Sequence, residues 1–199
     1  MAKNFLSALK KRRSQYALGK NTSLSSDEIR ALITETMRHT PSAFHSQSSR
    51  AVILFGDENV EFWTLIENHL RDMVPAENFG PTEEKLRSFT AGIGTVLFFE
   101  DMGPVTDLQE RFSLYAEHFP TWSEHASGMA QFAVWTALAA ANIGASLQHY
   151  IPFADAAIRE RWDIPAQWVL RAQMPFGSIE GEPMEKTFIE DDERIKVFG

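Results

Sequence analysis

The sequence predicts an α+β sandwich, with one central sheet and helices packed on both faces. Three observations lead there. The runs "RAVILFG" at 50–56, "GTVLFFE" at 94–100 and "WVLRAQMPFG" at 168–177 are short, apolar and rich in branched and aromatic residues, as buried strands are. The segments between them repeat apolar residues at helical spacing. Helices outnumber strands and the two are mixed along the chain, which suits a sheet covered on both sides.

The elements follow in order. Residues 3–13 place Phe5, Leu6, Ala8 and Leu9 on one helical face, with Lys10, Lys11, Arg12 and Arg13 near the C-terminal end, where the helix dipole favours cations. Ser25 followed by Glu28 reads as a capping box for a helix over 26–38, carrying Ile29, Leu32, Ile33 and Met37. The first strand ends at Gly56. A third helix over 58–73 holds Phe62, Leu65, Ile66, Leu70 and Met73 and stops near Pro75. The polar stretch "PAENFGPTEEKLRSF" reads as a crossing to the second strand. Residues 106–117 read as helix. The longest periodic segment, 122–142, has a wide apolar surface and ends before Gly144. "ASLQHY" at 145–150 reads as a strand or strand entry, and Pro152 opens a helix over 153–162. The tail holds Phe188, Ile189, Ile195, Val197 and Phe198, too apolar to hang free, so it is expected to dock.

Composition narrows the function. The 199 residues suit one domain spanning 1–199. A net charge of -8, with no basic stripe or tail, argues against nucleic acid or an anionic membrane as partner. There are no cysteines, which excludes disulfides, thiolate nucleophiles and iron–sulfur clusters and fits a reducing, cytoplasmic setting. No signal peptide and no membrane-spanning apolar run is visible, and the basic N-terminus reads as an edge helix rather than a transit peptide. The long helix and the tail are greasy enough that a second chain is expected to cover them.

Several motifs lead nowhere. "GIG" at 92–94 precedes its strand and no helix follows it, the wrong order for a dinucleotide fold. No P-loop, G-x-S-x-G or H-E-x-x-H occurs, and Glu117-His118 and Glu124-His125 lack metal-ligand spacing. No metal site and no catalytic side chain is assigned.

Four stretches remain. In "KKRRSQYALG", Arg12, Arg13 and Ser14 put three anion donors in three residues, suited to a phosphate, although a solvated helix end has the same look. "HTPSAFHSQSSR" at 39–50 crowds hydrogen-bonding groups around Pro41 and Phe44. It suits the edge of a flat heterocycle, or a loop satisfying its own backbone. "GASLQHY" offers a close-approach Gly144 with Gln148, His149 and Tyr150 beyond it. In "ERIKVF", Arg194 and Lys196 would share one side of a strand, to meet an anion or to guard an edge.

Taken together, "RRSQYALGK", "HTPSAFHSQSSR", "GTVLFFED", "FAVWTAL", "GASLQHY" and "AQMPFG" resemble the FMN-dependent nitroreductase family, in its fatty-acid-repression-mutant branch. The resemblance spans essentially the whole chain. It implies a mostly antiparallel central sheet flanked by helices, with a C-terminal segment extending onto the partner of a homodimer. It implies two FMN molecules at the interface, each touched by both chains. Arg12 and Ser14 match the phosphate-binding pair, with Arg13 between them, and Lys196, or else Arg194, matches a late cation on the same phosphate. Ser42, Phe44, His45 and Gln47 fall on a loop that reaches a flavin across the interface. Leu147, Gln148 and His149 match the segment lining the ring. Two positions depart from the pattern: His45 stands where Asn is usual, and Tyr16 where a cation usually faces the flavin's N1–O2 edge. The implied activity is hydride transfer from NAD(P)H to a nitroaromatic or quinone acceptor, in a stress response. The alternative is a flavin-binding regulatory or stress-response module with little turnover. Trp63, Phe89, Phe112, Tyr115 and Trp122 are the aromatic candidates for an acceptor slot, with core packing the commoner role for such residues.

Overall fold

The computed structural model describes residues 2–152 and 154–199, with side chains from residue 4. Its sheet holds β1 (Leu18–Gly19), β2 (Ser49–Phe55), β3 (Gly94–Asp101), β4 (Gly144–Ala145) and β5 (Trp168–Ile179). The order is β1-β5-β3-β2, with β4 also on β5, and every pairing is antiparallel.

β3 lies between β2 and β5 and is buried at every position. Covered on both faces, such a strand has no polar side, which explains the unbroken run "GTVLFFE". Its side chains still alternate. Leu97 and Phe99 enter one core with Phe62, Trp63, Ile66 and Phe89. Val96 and Phe98 enter the other with Ile29, Ile33, Val134, Leu138 and Met174. The first core lies under α3 (Asp57–Arg71), α4 (Gly80–Thr90) and α7 (Asp155–Arg161). The second lies under α2 (Ser26–Arg38) and α6 (Phe119–Ala140), and α1 (Ala2–Lys11) packs on α6.

The capping box is present: the Ser25 hydroxyl accepts from the Glu28 N–H, and the Glu28 carboxylate accepts from the Ser25 N–H at 2.8 Å. Other expectations need correction. The polar stretch after Pro75 contains the helix α4, started by Pro81 and anchored by buried Leu86 and Phe89. A narrow apolar stripe of two residues leaves too little periodicity to read. The helix read at 106–117 is α5 (Met102–Arg111), capped by the Asp101 carboxylate on the Gly103 N–H, followed by a 3-10 turn at Ser113–His118. Pro120 lies in the first turn of α6, where proline is tolerated.

The strand read at 145–150 shrinks to Gly144–Ala145 and one bridge between Gln148 and Gln173. The Gln173 side chain, not a ladder, binds the Tyr150 N–H at 2.8 Å. Of the helix read at 153–162, Phe153 lies outside the described residues. The C-terminal strand is absent: Asp191–Arg194 (α8) is a single helical turn, and the residues after it are exposed, Phe198 at 91%. Trp63 and Phe89 are 1% and 0% exposed with rings 4.7 Å apart, so they are core and line no acceptor slot. Among the described residues no helix is long and apolar enough to cross a membrane, and no cluster of metal-ligating side chains occurs.

Candidate functional site

The first part of the site forms where α1 ends. The Arg12 N–H makes a last helical bond to the Ala8 carbonyl, after which the chain runs straight along β4. Ser14 bridges to Ala145 in parallel, and the Gln15 N–H donates to the Ala145 carbonyl at 2.9 Å. Gly144 permits this approach, since a Cβ there would come within 3.1 Å of the Gln15 Cβ and 2.9 Å of Ile179. Trp135 of α6 locks the junction. Its indole N–H donates to the same Ala145 carbonyl at 3.1 Å, and its ring carries the Arg12 guanidinium 4.4 Å from the centroid. Partial burial, with the like charge of Arg13 alongside, lowers the Arg12 pKa from its ordinary value. It remains a cation at neutral pH.

Arg12, Arg13 and Ser14 share a cavity of about 220 Å³ with Met184, Glu185 and Lys186, and Arg13 donates to the Met184 carbonyl. A second cavity, about 510 Å³, joins Arg12 to Gly128, Gln131, Phe132, Trp135 and Leu147. Within one chain, the late cation that shares a cavity with Arg12 and Ser14 is Lys186. Lys196 and Arg194 line neither cavity, because the short α8 turn and exposed terminal residues replace the strand that was to carry them. Ten residues separate the two lysines, and neither lies in a periodic element the sequence makes visible.

Of the ring-lining segment, Leu147 reaches the second cavity and His149 is exposed. Gln148 is buried, with its amide spent on the Ser146 hydroxyl at 3.0 Å. Beyond it, the Tyr150 ring packs edge-on against Trp63, with Lys85 of α4 placing its ammonium 5.7 Å from the ring centroid. Burial raises the Tyr150 pKa, and the neighbouring Tyr16 adds to the rise. Tyr150 thus lies under the Lys85 ammonium and feels the field of Tyr16. Lys85 escaped the sequence reading because its helix did.

The second part is the loop at 42–49. Its crowding of hydroxyls has a structural use. The Ser42 hydroxyl accepts the Gln47 N–H at 2.9 Å, and Ser48 and Ser49 donate to Glu100. Arg50 donates to the Gln47 carbonyl and pairs with Asp101 at 2.9 Å. Phe44, His45 and Gln47 all take left-handed backbone conformations, at φ 53, 53 and 49. Each costs a non-glycine residue about 1–3 kcal/mol unless the surroundings impose it, and such clusters mark functional loops. The result turns His45 and Gln47 outward and lays Phe44 over an aromatic group, 5.0 Å from Phe112, 5.3 Å from Phe119 and 6.1 Å from Trp122. Tyr115 joins this group, so three of the five aromatic candidates gather there. Beside the loop, Arg38, Thr40, Ser42, Ser46, Gln47 and Arg50 line a polar cavity of about 520 Å³. Within one chain this cavity shares no residue with those of Arg12.

The antiparallel sheet with its early anion-donor segment matches a known family: residues 9–178 fit the nitroreductase family. The chain belongs to it. This nitroreductase is 34% identical over 188 residues to nitroreductase FRM2 of Saccharomyces cerevisiae, covering 94% of this chain and 93% of the relative. That relative places it in the fatty-acid-repression-mutant branch. It is 42% identical to the nitroreductase CinD from Lactococcus lactis solved with chloramphenicol, with a TM-score of 0.91, covering 98% of this chain and all of that one. CinD has also been solved with 4-nitrophenol. A nitroreductase from Desulfitobacterium hafniense, solved with bound FMN, shares the fold at 14% identity and a TM-score of 0.71, over 98% of each chain.

Proposed function

We propose that this chain is a one-domain FMN oxidoreductase, working as a homodimer in the cytoplasm, that passes hydride from NAD(P)H to a nitroaromatic or quinone-type acceptor. The observation that carries this reading is the contact of Ser14 with Ala145. It joins the segment read as anion-binding to the one read as ring-lining.

In this reading Arg12, Arg13, Ser14 and Lys186 hold the phosphate by forked and point-charge donors. Leu147 and His149 border the ring. Ser42, Phe44, His45 and Gln47 address the flavin held by the partner, because within one chain their loop opens on a different cavity. Lys85, over the Tyr150 ring, is the candidate for the positive charge that Tyr16 lacks. A cation there favours negative charge on the ring's pyrimidine edge. Bound FMN supplies the hydride and electron chemistry. The side chains bind, orient and tune, and none is needed as acid or base. The exposed apolar residues of α6, Met129 and Phe132, and of the tail, Phe188 and Phe198, are what a second chain would cover.

The test is direct. Purified protein reconstituted with FMN should show a bound-flavin spectrum, sediment as a dimer, and oxidise NADH or NADPH with 4-nitrophenol or a quinone as acceptor. Failure to retain FMN would sink the reading. The second reading, a flavin-binding stress-response module with slow turnover, is favoured by Tyr16. It would be supported if the FMN stayed bound but neither nicotinamide reduced it.

A further inference from the structure

One buried ionisable group is used by none of the above. Glu100, near the end of β3, is fully enclosed. Its bonded partners are hydroxyls rather than cations: Ser48 at 2.7 Å and Ser123 at 2.6 Å on one carboxyl oxygen, and Ser49 at 2.5 Å on the other. Burying a carboxyl without a cation is costly, so such a group persists only where its hydrogen bonds are met.

The three donors come from two elements. Ser48 and Ser49 form the root of the loop at 42–49, and Ser123 lies in the second turn of α6. The same turn region carries Phe119 and Trp122, the rings on which Phe44 rests. Three left-handed residues sit immediately before the root. A strained run of that kind holds its shape only when its ends are fixed. Asp101, next in the chain, holds Arg50, which in turn holds the Gln47 carbonyl. Among the described residues, Glu100 is thus the one side chain that bonds both the loop root and the aromatic helix.

We propose that Glu100 is a positioning residue for the acceptor site. Its carboxylate fixes the spacing between the Phe44 loop and α6, and with it the aromatic face on which a planar acceptor stacks. This role rests on the FMN nitroreductase reading above.

The test uses full-length Glu100→Gln reconstituted with FMN. Glutamine keeps the shape, but its NH2 cannot accept from a serine hydroxyl. The KM for 4-nitrophenol should rise about tenfold, while the rate of flavin reduction by NAD(P)H stays within about twofold of native. Ser49→Ala should raise the KM about threefold, and Ser49→Thr, which restores the hydroxyl, should return it to native. A native KM in Glu100→Gln overturns the proposal. If that variant does not fold, equal KM values for Ser49→Ala, Ser49→Thr and Ser123→Ala overturn it. A native chain that neither binds FMN nor oxidises a nicotinamide fails at an earlier step, bringing down the site reading and the positioning role together.

Discussion

The guanidinium of Arg12 lies over the indole of Trp135, 4.4 Å from the ring centroid, while the indole N–H holds the Ala145 carbonyl. One side chain thus registers the anion-binding segment against the ring-lining segment. Trp135→Ala removes both contacts and should weaken FMN binding about fivefold, the equivalent of about 1 kcal/mol for a partly buried cation–π pair. Trp135→Phe keeps the face and should lose less. Quenching of flavin fluorescence on titration reads both.

The late cation separates the geometry from the spacing. Lys186 lines the cavity with Arg12 and Ser14, and Lys196 does not. Lys186→Ala should weaken FMN binding about tenfold, by loss of a charge-assisted contact, with the difference shrinking in high salt. Lys196→Ala should leave the affinity unchanged. A loss confined to Lys196→Ala would return the phosphate to Lys196.

Charge near Tyr150 should tune the flavin. Tyr16→Lys adds a cation at a half-exposed position and should raise the midpoint potential by roughly 20 mV, from about 1 kcal/mol of added stabilisation of the reduced ring. Lys85→Met should lower it. Spectroelectrochemical titration gives both signs, and a fall in potential for Tyr16→Lys would contradict the placement.

Stability should follow the core. Phe98 is fully buried on β3 among Val134, Leu138 and Met174. Phe98→Ala should cost about 3–5 kcal/mol in urea unfolding, from lost transfer energy and the cavity left behind.

The bond from Arg161, at 2.6 Å, holds the Glu61 carboxyl below its ordinary pKa of 4.5. A depressed folded-state pKa stabilises the fold above the unfolded value, and the gain fades as pH falls through the folded one. Native protein should therefore exceed Glu61→Gln in Tm at neutral pH, with the gap closing below about pH 4.5. The pair is exposed, so the gap should be small and salt-sensitive.

Much of this was legible in local pattern. The three strands and the capping box at Ser25 and Glu28 each depend on neighbours a few residues away, and each stands where the pattern put it. α4 was hidden because only Leu86 and Phe89 mark its buried face. The acceptor aromatics divided for the same reason: Trp63 and Phe89 look no different in sequence from Phe112 and Trp122, and only packing sends one pair to the core and the other to the loop.

By itself, the sequence determined the three long strands, the strongly periodic helices and which short runs carry anion donors, since periodicity and side-chain chemistry are local properties. Tertiary structure decided that Lys186 lines a cavity with Arg12 within one chain, why Ser48 and Ser49 face inward to Glu100, and that Lys85 lies over the Tyr150 ring. Those pairings join residues 51 to 174 positions apart, and such contacts are set by how the sheet and helices close around one another.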